Sequence, residues 1–94
     1  MILVADSGAT KTDWILTEPG KEWHKATTGG IQPFYQTVES MAALLHQELP
    51  REWIRDSMVE TVFFYGAGCG STANQEKVKD SLSSVFPYSY IHVN

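Results

Sequence analysis

The first loop of the chain concentrates groups that can bind phosphate and a divalent cation. Residues 6–12 follow a short apolar run, and the candidate binding residues there are Asp6, Gly8, Ala9, Thr10, Lys11 and Thr12. A glycine lets a ligand approach the backbone, and adjacent N–H groups with two threonine hydroxyls can cradle phosphate oxygens. A lysine adds a cationic contact. Asp6 can hold Mg²⁺, largely through water, because that ion dehydrates reluctantly.

Two common phosphate-binding signatures are excluded by the glycine count of this loop. The Walker A pattern needs two glycines that flank four residues, and the dinucleotide fingerprint needs three. Only Gly8 lies in this loop. The loop therefore belongs to neither class.

Composition limits the class of protein further. The 94 residues carry a net charge of −4, and the seven Lys and Arg are scattered, so we expect no nucleic-acid partner. Cys69 is the single cysteine, which excludes an internal disulfide and suits a reducing compartment. Residues at the N-terminus lack the positively charged segment and long apolar stretch typical of a signal peptide, and no run approaches the roughly 20 apolar residues of a spanning helix. We expect a cytoplasmic protein without membrane association.

Apolar patterning predicts an α/β fold. Short apolar or alternating runs predict strands at residues 1–5, 13–17, 23–28, 61–65 and 88–93. Apolar residues at helical spacing predict helices at residues 34–49, 52–58 and 73–86. This order favours a mixed sheet with an N-terminal hairpin, connected by residues 6–12, and with packed helices.

Residues 6–12, followed by a strand that contains Trp14, resemble the Asp-x-Gly-x-Thr-x-Thr phosphate loop of the actin-like ATPase superfamily. Within it the chain is most similar to the N-acetylglucosamine kinase group, which is related to the benzoyl-CoA reductase activator ATPases. The segments TTGGIQPF (27–34) and FFYGAGCG (63–70) occur in that family's order. The resemblance implies an RNase H-like fold in each of two lobes, with ATP and Mg²⁺ between them and phosphoryl transfer to a sugar hydroxyl.

The resemblance also implies roles for individual residues. Asp6 would be the Mg²⁺-associated carboxylate, and the other candidate residues of the first loop would surround the β- and γ-phosphates. Gln32 stands where related sugar kinases carry an Asn that contacts the amino sugar, so its amide sits on a longer arm. Gly68 would lie at the cleft edge near the substrate. ATP and a sugar are the implied partners, and a homodimer is a compatible assembly.

The resemblance places the general base, an Asp, just after Asn94, and the second phosphate motif and adenosine site later still. We therefore expect residues 1–94 to be the first lobe of a longer, two-lobed kinase, with no catalytic residue of their own and no activity alone. A last strand without a covering helix favours the same interpretation. Two alternatives stay open: an activator-type ATPase and a non-catalytic nucleotide-binding module.

Several features also have a purely structural interpretation. The glycines at 66–70 suit a strand-to-helix turn as well as a ligand loop. Cys69 lacks local features that lower a thiol pKa, so we interpret it as a packing residue. The histidines at 24, 46 and 92 lack the spacing of metal ligands.

Overall fold

The computed structural model describes residues 1–55 and 58–94. The strands are β1 (Ile2–Ser7), β2 (Lys11–Thr17), β3 (His24–Gly29), β4 (Thr61–Gly66) and β5 (Tyr90–Val93). The helices are α1 (Val38–Glu48), α2 (Arg51–Arg55) and α3 (Thr72–Val85). The predicted α/β fold with a mixed sheet is confirmed.

The five strands form one sheet in the order β3-β2-β1-β4-β5. β2 is antiparallel to β1 and to β3, whereas β4 is parallel to β1 and to β5. The predicted N-terminal hairpin is therefore present. Its connection is shorter than predicted, because Asp6 pairs with Asp13 and Ser7 pairs with Thr12. Ladder pairing continues through these polar residues, and only residues 8–10 are left as a turn.

The helices cover one face of the sheet. Side chains alternate across a strand, so Leu3, Ala5 and Ser7 of β1 are buried on this covered face, while Ile2 and Asp6 are exposed. The opposite face, which carries Ile2, Val4 and Asp6, is called the open face below. Trp14 and Phe64 lie at the centre of the core with ring centroids 6.2 Å apart. Burial of each large side chain contributes about 1.5–3 kcal/mol to folding.

Helix α1 begins later than predicted. Thr37 caps it, since its hydroxyl accepts from the Ser40 N–H at 3.0 Å, and the Ser40 hydroxyl accepts from the Thr37 N–H at 3.0 Å. Residues 34–36 therefore remain outside the helix. Of the predicted segment 52–58, α2 accounts for residues up to Arg55, and residues 56–57 lie outside the described part.

Ser71 caps α3, and its hydroxyl accepts from the Asn74 N–H at 3.2 Å. The helix thus begins directly after the glycine-rich segment that follows β4. Within residues 1–55 and 58–94, no helix is both long and apolar enough to cross a lipid bilayer.

The sheet topology decides which loops meet. β1, β3, β4 and β5 all run in the same direction, so their carboxyl ends lie along one side of the sheet, called the carboxyl edge below. The segments that follow them are the 8–10 turn, the 30–36 loop, the 67–71 loop and Asn94. In α/β sheets ligands bind at this kind of edge.

Candidate functional site

Backbone hydrogen bonds join the segments at the carboxyl edge. The Ala67 N–H donates to the Ser7 carbonyl at 3.0 Å, and the Gly30 N–H donates to the Thr10 carbonyl at 3.2 Å. The Gly66 N–H donates to the Asn94 carbonyl at 3.3 Å. The sheet therefore brings the candidate segments predicted from the sequence together along its carboxyl edge.

The 8–10 turn presents free donors. The Gly8 N–H closes the turn by donating to the Lys11 carbonyl at 2.8 Å. The N–H groups of Ala9 and Thr10 have no hydrogen-bond acceptor within the described residues, and both residues are exposed. Adjacent unpaired N–H groups form an anion-binding concavity. Thr10 and the adjacent Lys11 are exposed and carry a hydroxyl and an ammonium group, so the turn can bind phosphate oxygens.

Thr12 has a different environment from the rest of the predicted phosphate loop. Its side chain is fully buried on the covered face, where its hydroxyl lies 2.8 Å from the Ser7 hydroxyl and donates to the Gly29 carbonyl at 3.0 Å. The structure thus does not place Thr12 among the exposed groups of the turn. Its hydrogen bonds join the strand ends next to the 8–10 turn and so hold the turn in place.

Asp6 carries the carboxylate predicted to associate with Mg²⁺. It is exposed on the open face, and its side chain has no hydrogen-bond or ion-pair partner in residues 1–55 and 58–94. The neighbouring Asp13 is occupied, because Thr27 donates to it at 3.2 Å and the Lys11 ammonium lies 3.8 Å away. An unpartnered carboxylate beside free N–H donors fits a cation that is also held by phosphate and water.

Metal binding by side chains alone is not supported in the described part of the chain, where no three His, Cys, Asp or Glu residues cluster. Mg²⁺ requires no such cluster when a nucleotide supplies oxygen ligands. A cavity of about 420 Å³ lies against Asp6 on the open face, lined also by Asp13 and Lys25. The residues present therefore fit a Mg²⁺–phosphate group better than a free metal ion.

A second cavity, of about 120 Å³, brings three predicted site residues together. Ala9, Gln32 and Gly68 line it with Phe34 and Ala67. Asp6 does not line this cavity, so the predicted Mg²⁺ carboxylate is separate from it, whereas Ala9 of the phosphate turn lies beside the predicted sugar residues. A third cavity, of about 480 Å³, lies beside β5 and α3 and includes Asn94.

Gly68 has a backbone reason to be glycine. Its φ is +82°, and an added Cβ would lie 3.2 Å from the Phe34 ring. Two side chains of α3 hold this loop, since the Asn74 amide donates to the Gly68 carbonyl at 3.1 Å and the Gln75 amide donates to the Cys69 carbonyl at 2.8 Å. The loop is thus fixed by the first turn of the helix.

Cys69 is buried, and burial raises the pKa of its thiol. A raised pKa keeps the thiol neutral and unreactive near neutral pH. This environment agrees with the interpretation of Cys69 as a packing residue.

Three residues that hold the site in place were not singled out by any sequence motif. Ser7 accepts from the Ile31 N–H at 3.1 Å, Asn74 holds the 67–71 loop, and the Lys77 ammonium donates to the Pro33 carbonyl. The signal for Ser7 is a small polar residue at the end of β1, on the same face as the buried Leu3 and Ala5. Asn74 acts on a carbonyl only six residues before it, whereas Lys77 contacts a residue 44 positions away, a separation that no local pattern reports.

Comparison with known proteins finds similarity to solved structures. No family model matches the chain, and no curated protein matches it. Among solved structures, the chain is similar to the "Putative N-acetylglucosamine Kinase" from Porphyromonas gingivalis, with 36% sequence identity and a TM-score of 0.85. The match covers 99% of this chain and 33% of that one, so the chain spans about a third of its neighbour's length. The chain thus has a kinase-like α/β fold, that of the N-terminal lobe of an actin-like ATPase.

Proposed function

We propose that this chain is the N-terminal lobe of an ATP-dependent sugar kinase that phosphorylates N-acetylglucosamine or a related amino sugar. One observation carries the proposal: the unpaired N–H groups of Ala9 and Thr10 lie at the same edge as the unpartnered carboxylate of Asp6. The likeness to the Porphyromonas protein supports the sugar class.

In this proposal the 8–10 turn holds the phosphates of ATP. The two N–H groups and the Thr10 hydroxyl donate to phosphate oxygens. Lys11 joins them readily, because its ion pair with Asp13 is long and both side chains are more than half exposed. Asp6 would hold the Mg²⁺ ion, which neutralises phosphate charge when it is bound.

The sugar is proposed to lie near the small cavity lined by Gln32 and Gly68. The base that accepts the proton of the attacking hydroxyl is proposed to follow Asn94. The position of Asn94 supports this arrangement, since its N–H donates to the Phe64 carbonyl at 2.9 Å and holds the strand end at the carboxyl edge. Catalysis would then consist mainly of positioning and charge stabilisation.

The activator-type ATPase is the weaker alternative. Those ATPases hold an iron–sulfur cluster between subunits through cysteines, whereas Cys69, the single cysteine of residues 1–94, is buried in the 67–71 loop. Burial raises the pKa of this thiol, which opposes the thiolate form that iron requires.

Substitution of Asp6 in the full-length protein tests the proposal. Asp6→Ala should lower sugar phosphorylation about ten- to a hundredfold, because the Mg²⁺-associated carboxylate is lost, and should leave the fold intact since the side chain is exposed. ADP release in the presence of N-acetylglucosamine and thermal unfolding are measured together. Asp80→Ala, at an exposed position of α3, is the matched control. Wild-type turnover by Asp6→Ala would refute the assignment of the loop.

A further inference from the structure

We infer that Gln32 is a positioning residue that orients the phosphate-binding turn, in place of a direct contact with the sugar; this inference rests on the proposed kinase function. The side-chain amide of Gln32 donates to the carbonyl of Ala9, at the tip of the 8–10 turn. The N–H part of this amide is therefore directed at the turn.

Because a peptide unit is planar, this hydrogen bond also fixes the direction of an N–H group that is proposed to donate to phosphate. The Ala9 carbonyl and the Thr10 N–H belong to one planar trans peptide unit, so they point in opposite directions. By holding the carbonyl toward the 30–36 loop, Gln32 directs the Thr10 N–H away from that loop. This N–H is one of the two unpaired donors of the turn.

The next peptide unit is fixed in the same way. The Gly30 N–H donates to the Thr10 carbonyl at 3.2 Å, which orients the following N–H, of Lys11, in the opposite direction. The close approach depends on glycine, because an added Cβ at position 30 would lie 2.6 Å from the Ala9 carbonyl oxygen. Two successive carbonyls are thus turned toward the 30–36 loop and away from any bound anion.

The 30–36 loop is itself held in place, so it can serve as a rigid support. The Gln32 N–H donates to the Gln36 side-chain oxygen at 2.6 Å, and the Gln36 amide donates to the Gly30 carbonyl at 3.4 Å. Lys77 of α3 donates to the Pro33 carbonyl. Because the 30–36 loop is hydrogen-bonded within itself and to α3, it holds Gln32 in a fixed position against the turn.

Nucleotide binding without sugar separates this role from a sugar contact. In the full-length protein, the affinity for Mg·ADP is measured by isothermal titration for wild type, Gln32→Met and Gln32→Asn. Met keeps the length of the side chain without the donor, and Asn keeps the amide but is one methylene shorter. Both should bind Mg·ADP about three- to tenfold more weakly, the effect of one lost hydrogen bond. Gln47→Met, at an exposed position of α1, is the matched control and should bind as wild type does.

A direct sugar contact would give the opposite division of effects. Gln32→Met would then raise the KM for N-acetylglucosamine and leave the Mg·ADP affinity unchanged, which overturns the inference. Gln32→Glu keeps the side-chain length but places an oxygen against the Ala9 carbonyl, so it should weaken Mg·ADP binding at least as much as the other two variants. It is used in place of either variant if that variant fails to fold. If the wild-type protein neither binds Mg·ADP nor phosphorylates the sugar, the proposed function fails. If it does both and every Gln32 variant binds Mg·ADP normally, only the role of Gln32 fails.

Discussion

The hydroxyl oxygens of Ser7 and Thr12 lie 2.8 Å apart, buried on the covered face directly beneath the 8–10 turn. Each hydroxyl has one proton. Since Thr12 donates to the Gly29 carbonyl, Ser7 must donate to Thr12, and Ser7 in turn accepts from the Ile31 N–H. The two hydroxyls therefore form a chain of hydrogen bonds that connects β1, β2 and the end of β3 under the candidate phosphate site.

This chain predicts different effects for the two threonines of the first loop. Thr12→Val should lower the free energy of unfolding by about 1–3 kcal/mol, because it leaves the buried Ser7 hydroxyl without its acceptor, whereas the Gly29 carbonyl still accepts from the Thr28 hydroxyl. Thr10→Val should leave stability nearly unchanged and weaken Mg·ADP binding, since its hydroxyl is exposed at the turn. Urea unfolding and isothermal titration measure the two effects. Equal destabilisation by both variants would contradict the assignment.

The contact between Gly30 and the turn predicts a strong dependence on residue size. Gly30→Ala places a Cβ against the carbonyl oxygens of Gly8 and Ala9, at 2.7 and 2.6 Å, and backbone atoms cannot move aside cheaply. We expect a loss of about 1–3 kcal/mol in the free energy of unfolding. Gly70→Ala is the matched control, because no atom beyond its two chain neighbours lies within 4 Å of its Cβ position, and it should change stability by less than about 0.5 kcal/mol. A neutral Gly30→Ala would show that the two segments are not in close contact.

Cys69 predicts a pH dependence of both reactivity and stability. Burial raises the pKa of this thiol in the folded protein, so its alkylation by iodoacetamide should be much slower than that of a free thiol at pH 8. The unfolded thiol ionises at a lower pH than the folded one. The thiol contribution to stability is therefore complete below the ordinary thiol pKa and decreases as pH rises from that value through the raised pKa. Cys69→Ala should remove this alkaline decrease, and its persistence in that variant would assign it to another group.

The 94-residue chain alone should not phosphorylate sugars. It carries the proposed phosphate turn and Asp6 but not the proposed base or adenosine site, and phosphoryl transfer depends on all of these being positioned together. Correct positioning is worth about 7–11 kcal/mol in effective molarity. A coupled assay of ADP release should detect turnover with the full-length protein and none with residues 1–94. Turnover by the short chain would place the whole active site within it.

Local patterns in the sequence determine the elements of the fold and the presence of a phosphate-type loop. Apolar runs bounded by Gly, Pro and Asp specify the strands, because these runs are too short for helices and several alternate between apolar and polar residues. The residue types of the loop, a carboxylate with glycine, hydroxyls and a lysine, indicate its chemistry without any contact being known. These properties are local, so the sequence alone reports them.

Only the tertiary structure decides which of these groups face a ligand. The strand register turns Asp6 to the open face and Thr12 to the core, although both lie in the same short motif. It also brings Gln32 to Ala9, which lies 23 residues earlier in the sequence. Such contacts depend on the sheet order and on peptide orientation, which arise from packing between distant segments. The sequence therefore determines what chemistry the loop contains, and the fold determines which groups are free to perform it.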